Sequence, residues 1–234
     1  MDSSPHCLVV GVGAGTGLAC VRKFVEEGYR VSMIARHRGR LNTWASEIPN
    51  TTPYPTDLLD IDGYRATLRE IVTQQGRKWW CITHASLASF ATYDTLDPAD
   101  LERNFRANTC GLLVTAQELG PGMTKRGSGS IVVTGNTGAL RGKPNYIGFS
   151  PTKASQRILA ECLARELGPQ GVHVAYVVID AAIDMPFARR RRGDKPDDYY
   201  AKPADLASEI YHTAHQPRSA RSFYVELRPF GETW

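Results

Sequence analysis

Short apolar runs alternate with amphipathic stretches along almost the whole chain. The first run, Cys7–Val10, predicts a strand, and Thr16–Glu27 predicts a helix because Leu18, Val21, Phe24 and Val25 recur at helical spacing. The pattern continues with a strand over Arg30–Ala35 and a short helix over Leu41–Ile48. A brief strand over Thr52–Pro55 is confined by its two prolines to a sheet edge or an irregular piece. Next come a helix over Ile61–Gln75, a strand opened by Trp79 and Trp80 and running to Thr83, and a long helical region over Ala99–Lys125, expected to break or bend near Gly120–Pro121. The remainder predicts strand Ser130–Thr134, helix Pro151–Leu167, strand His173–Ile179, helix Pro203–His212 and strand Ser222–Leu227, with Phe223, Val225 and Leu227 alternating along the last.

Strands that alternate with helices imply parallel pairing through right-handed crossovers, with helices on both faces of the sheet. About seven such strands make a Rossmann-type, doubly wound α/β sheet, expected here as a single domain over residues 1–234. The stretch 181–200, with its Arg189–Arg192 run and Asp-rich end, is the least regular part and is expected to be a lid over the ligand crevice. The composition, 42% hydrophobic and 22% charged, is that of an ordinary globular chain, and a net charge of +4 suits an anionic cofactor without implying nucleic-acid binding. Five scattered cysteines without a CxxC pair exclude a disulfide frame and a zinc site, so no metal is expected. No apolar run approaches the roughly 18 residues of a membrane span, and no signal-peptide pattern is seen. A cytoplasmic protein with no membrane partner is expected.

The chemistry begins at Gly11-Val12-Gly13-Ala14-Gly15-Thr16-Gly17, between the first strand and the first helix. Glycines permit the sharp turn and the close approach of backbone to a phosphate, and a helix opening there aims free N–H groups at a pyrophosphate. Gly11, Gly13, Ala14, Gly15, Thr16, Gly17 and Leu18 are therefore candidate cofactor contacts; a plain tight turn is the bland alternative. At the end of the second strand, Arg36, His37 and Arg38 stand where NAD-binding chains tend to carry a carboxylate. A guanidinium fork suits a ribose 2′-phosphate, which favours NADP(H) over NAD, against the bland reading of a solvated basic helix start.

With these features the chain resembles the short-chain dehydrogenase/reductase family over almost its whole length. Gly11, Gly15 and Gly17 are similar to that family's TGxxxGxG turn, with Val10 in place of the threonine. Asp57, followed by Leu58, matches the aspartate that contacts adenine; Thr83-His84-Ala85-Ser86 stands poorly for NNAG, with Ala85 at the cofactor. Asn108 matches the NxxG asparagine and Lys153 the lysine of YxxxK, which in the family holds the cofactor ribose. Ile179-Asp180 replaces a Pro-Gly turn, and Ala182 is implied to sit beside the nicotinamide amide. The resemblance also implies a small-molecule substrate and a homodimer or homotetramer.

Two positions depart from it. Asn136 occupies the serine position and Phe149 the tyrosine position, so the usual relay of serine, tyrosine and lysine has no ionisable hydroxyl. Loss of a positioned general acid costs about 10²–10⁴ in rate. Asn136 can still donate a hydrogen bond to a substrate oxygen. Pro151, with Ser150 as the expected N-cap, is expected to start its helix late and to shift residues 146–149, which makes Tyr146 a candidate replacement hydroxyl beside the bland reading of a loop tyrosine. His84, Asp180 and Asp184 are further candidate proton-transfer groups, each with a structural alternative. Three readings stay open: an NADP(H)-dependent reductase of a carbonyl, enone or imine with an altered proton donor; a non-redox isomerase, dehydratase or cyclase; and a catalytically silent NADP-binding protein.

Overall fold

The computed structural model describes residues 4–75 and 79–232. Strands β1 (His6–Val10), β2 (Arg30–Ala35), β3 (Thr51–Pro55), β4 (Trp79–Thr83), β5 (Gly129–Gly135), β6 (Val172–Ile179) and β9 (Tyr224–Leu227) form one sheet in the order β3-β2-β1-β4-β5-β6-β9. Every pair in it is parallel, with Cys7 opposite Val31 on one side and Trp80 on the other. Two further strands, β7 (Ala182–Ile183) and β8 (Tyr200–Ala201), pair with each other outside it. β3 takes the outermost place, where its prolines cost no ladder bond on the open side.

A strand covered on both faces has no polar side to show, and β1 and β6 are buried at every position. Along β1 the side chains divide by pleat: Leu8 and Val10 enter the layer with α3 (Ile61–Gln75), α5 (Gly111–Arg126) and α6 (Ser150–Leu167), while Cys7 and Val9 enter the layer with α1 (Thr16–Glu26), α2 (Arg38–Glu47) and α8 (Pro203–Ala214). The strand order reverses between β1 and β4, and a crevice opens there at the carboxyl ends of the strands.

Three local readings are corrected. The long helical region divides at a π-helical turn, Arg106–Cys110, between α4 (Pro98–Phe105) and α5; Gly120 and Pro121 lie within α5. An extra residue in one turn widens the backbone ring, a change that carries no composition signal. α6 is capped by Phe149, with Ser150 and Pro151 in its first turn, so the helix starts earlier than expected; proline needs only a donor-free first-turn position, and the second satisfies it as well as the first. The 181–200 stretch is more regular than its sequence implies, holding β7, α7 (Pro186–Arg192), a turn of 3-10 helix at Asp197–Tyr199, and the start of β8. All five cysteines are free, and among the described residues no group of His, Cys, Asp and Glu is placed to hold a metal.

Candidate active site

The crevice is a cleft of about 580 Å³. It is lined by Gly11, Gly13, Gly15, Thr16 and Gly17 of the glycine turn and by Arg36, His37 and Arg40 at the end of β2 and the start of α2. Asp57, Leu58, Ala85 and Leu87 also line it, as do Ile183 and Met185 from the 181–200 stretch. Gly11 has φ +91°, and a Cβ there would overlap the Ala85 backbone; a Cβ at Gly17 would sit 2.8 Å from the Gly11 carbonyl oxygen. These two glycines let β1, β4 and α1 meet. Gly13 is different, since nothing lies within 4 Å of an added Cβ and it faces open space.

α1 begins with no side-chain cap and no acidic residue in its first turn, so its positive end is left for something else to neutralise. Thr16, its first residue, is buried, and its Oγ1 has no hydrogen-bond partner. A buried hydroxyl without a partner is costly unless a ligand supplies one.

Of the expected cofactor contacts, Ala14, Leu18, Arg38, Lys153 and Ala182 do not line the cleft. Arg40, which was not expected, does. Arg38 opens α2, and two further residues of helical rotation bring Arg40 back to the cleft side. Asp57 is engaged locally, its Oδ1 accepting from the Leu59 N–H at 3.0 Å.

Deeper in, Asn108, Lys153 and His84 belong to one hydrogen-bonded assembly. Asn108 lies in the π-helical turn; its Oδ1 accepts from the Leu87 N–H at 2.8 Å, and its Nδ2 donates to the Leu87 carbonyl at 2.8 Å and to Thr152 Oγ1 at 2.9 Å. Lys153 is 2% exposed, and its Nζ donates to the Thr134 carbonyl at 3.2 Å and to Gln156 Oε1 at 2.6 Å. Burial brings its pKa down to about 7. His84 Nδ1 lies 2.8 Å from Thr134 Oγ1, and burial, aided by the nearby Lys153 charge, lowers its pKa to about 4. His84 is thus neutral near pH 7, which makes it a hydrogen-bonding group at the cleft wall and a poor acid. Gln156 was missed in the sequence, although a polar residue on the buried stripe Lys153, Gln156, Ala160, Leu163 was a readable signal.

Asn136 Oδ1 accepts from the Gly138 N–H at 2.9 Å, capping a turn of 3-10 helix, and this leaves its Nδ2 as the group able to meet a substrate. Phe149 is 6% exposed beneath two other rings. Centroids are 4.9 Å apart for Phe90 and Tyr146, 5.6 Å for Phe90 and Phe149, and 6.3 Å for Tyr146 and Phe149. Tyr146 lines a separate cleft of about 290 Å³ with Arg141, Lys143 and Ser150 and is absent from the lining of the main cleft. The carboxylates are committed elsewhere. Asp180 is ion-paired with Arg228, and Asp184 with Arg189, whose hydrogen bond holds the Asp184 carboxyl below its usual range. Arg189 also reaches Asp197 at 2.8 Å and lies over the Tyr200 ring, so one arginine ties the 181–200 stretch together.

A parallel α/β sheet with a glycine turn, an uncapped helix start and arginines at the end of the second strand is a dinucleotide-type phosphate cleft. The short chain dehydrogenase model matches residues 5–192, and the chain belongs to that family. It is similar to Carbonyl reductase [NADPH] 2 of Sus scrofa, 26% identical over 218 residues that cover 89% of this chain and 88% of the relative. It is also similar to Dehydrogenase/reductase SDR family member 11 of Homo sapiens, 25% identical over 95% of this chain and 93% of the relative. Among solved structures, an alcohol dehydrogenase of the archaeon Thermococcus sibiricus, complexed with 5-hydroxy-NADP, superposes with a TM-score of 0.86 at 21% identity, covering 99% of each chain. An actinorhodin polyketide ketoreductase with NADPH gives 0.87 at 20% identity over 98% of this chain and 97% of the other. These two likenesses concern the fold. Among the described residues no helix is long and apolar enough to cross a membrane.

Proposed function

We propose that the chain is an NADP(H)-dependent oxidoreductase that reduces a small organic carbonyl, enone or imine at a site whose proton donor is not a tyrosine. The observation that carries this reading is the presence, in one cleft, of an uncapped α1 start, an orphaned Thr16 hydroxyl, and Arg36 and Arg40. These groups offer complementary charge to a pyrophosphate and to a ribose 2′-phosphate, so the residues present fit this cofactor. Gly13, Gly15 and Thr16 would hold the pyrophosphate, Arg36, His37 and Arg40 the 2′-phosphate, and Asp57 and Leu58 the adenine. When bound, the nicotinamide supplies a hydride equivalent.

The chain's own groups limit the rest of the chemistry. Phe149 offers no proton, Asn136 has one amide N–H₂ to polarise an acceptor, and His84 is neutral. Lys153 is the remaining titratable cation beside them. The Ala181–Tyr200 stretch, touching the cleft through Ile183 and Met185, serves as the substrate lid. Exposed Phe105, Leu113 and Ile158 on α4, α5 and α6 favour assembly as a homodimer or homotetramer.

The test is a fluorescence titration with NADPH and NADH, followed by NADPH consumption on a panel of ketones, enones and cyclic imines. Saturable binding that prefers NADPH, with turnover of one class, is expected; no binding overturns the reading. A silent NADP-binding protein is favoured by one observation: Asn136, Phe149 and Lys153 are absent from the lining of the main cleft, and Phe90 and Tyr146 pack around Phe149. Tight NADPH binding without turnover, unrelieved in Phe149→Tyr, supports that second reading.

A further inference from the structure

The Lys153 amine lies buried inside a protein layer, and no carboxylate among the described residues pairs with it. A buried cation without a counter-ion depends on the neutral acceptors around it. Two are present: the Thr134 carbonyl at 3.2 Å and Gln156 Oε1 at 2.6 Å, the shorter contact coming from a side chain that is itself buried.

The orientation of the Gln156 amide is decided by its other end. Its Nε2 donates to the backbone carbonyl of Asn108 at 2.7 Å. A flipped amide would set oxygen against that carbonyl and N–H₂ against the ammonium, two repulsive contacts in place of two bonds. The Asn108 carbonyl belongs to the π-helical turn at Arg106–Cys110, where the Gly111 N–H reaches back to Arg106 and the ordinary helical ladder is interrupted. Gln156 Nε2 bonds to a carbonyl of that turn, and the amide oxygen is left pointing at Lys153.

We propose that Gln156 is a positioning residue that fixes both the place and the protonation of Lys153. The inference rests on the reading above that Lys153 belongs to the site. The titratable groups that face the lysine from neighbouring elements are His84 at the end of β4 and Tyr176 on β6, whose hydroxyl donates to the Lys153 carbonyl oxygen at 3.4 Å. His84 is neutral over the range in question, and the Tyr176 phenol is pushed up by burial, so neither competes with Gln156 in setting the lysine charge.

The experiment follows the ε-methylene resonance of Lys153 in lysine-labelled full-length protein as pH is varied, the signal being assigned by its absence from Lys153→Met. Gln156→Leu removes the acceptor and is expected to lower the midpoint by about one pH unit or more; Gln156→Glu places a carboxylate there and is expected to raise it by about as much. A residue that only filled space would not move the midpoint in opposite directions in the two variants. Midpoints within a few tenths of a unit of the parent in folded variants overturn the proposal. Should Gln156→Leu fail to fold, the near-isosteric Gln156→Glu decides alone, an unmoved midpoint overturning the assignment. NADPH titrated into the same samples keeps the two readings apart. A parent protein that does not bind NADPH refutes the cofactor reading, while the lysine midpoints still decide the role of Gln156.

Discussion

Truncating Asn108 tests how much of the site is held by one side chain. In Asn108→Ala, three hydrogen bonds of 2.8–2.9 Å disappear, to the Leu87 N–H, the Leu87 carbonyl and Thr152 Oγ1. Thr152 keeps its bond to the Phe149 carbonyl, but both Leu87 backbone groups lose the Asn108 side chain as partner. At about 1 kcal/mol net per bond, with an added penalty where a buried group is left unpaired, the variant should lose about 3–4 kcal/mol. That is a large share of a total stability of about 5–15 kcal/mol. Asn104→Ala is the control: Asn104 is equally buried but donates one bond, to the Gly148 carbonyl at 2.8 Å, and should lose about 1–2 kcal/mol. Urea denaturation gives both numbers. Because Leu87 lines the main cleft, NADPH affinity should fall in Asn108→Ala and hold in Asn104→Ala. Equal losses of stability in the two variants, or an unchanged NADPH affinity in Asn108→Ala, would refute the view that Asn108 clamps the cleft wall.

Lys153→Met should change how stability depends on pH. The lysine pKa is lowered on folding from 10.5 to about 7, so between these values the unfolded chain binds more protons and parent stability rises with pH, the burial penalty being full below about pH 7. The parent-minus-variant difference should therefore climb by several kcal/mol, at about 1.4 kcal/mol per pH unit, across that window; parallel stability curves contradict it. Thr16→Val removes a buried, unpartnered hydroxyl and should raise the stability of the unliganded protein by about 1 kcal/mol in urea denaturation while weakening NADPH binding about fivefold to tenfold. Arg40→Ala should reduce the preference for NADPH over NADH by about tenfold, and Arg38→Ala should not, since Arg40 lines the cleft and Arg38 does not; the two dissociation constants measured by fluorescence decide it.

Periodicity alone determined the architecture. Apolar runs such as Leu8–Val10 and Ile131–Val133 can be satisfied only in a strand covered on both faces, and their alternation with helices leaves a parallel sheet as the solution. The glycine turn was legible for a similar reason, because its local backbone demands are written in residue type. The state of the site was not. Which arginine meets the cleft depends on the helical phase set by where α2 begins. Whether Asp180 and Asp184 are available depends on Arg228 and Arg189, the first of which lies on a distant part of the chain. That Lys153 bonds to Gln156, and Gln156 in turn to the Asn108 carbonyl in the π-helical turn, links residues 48 positions apart. Hydrogen bonds of this kind are short-range and directional. They exist only once packing has brought the groups within about 3 Å, and no pattern along the chain encodes that distance.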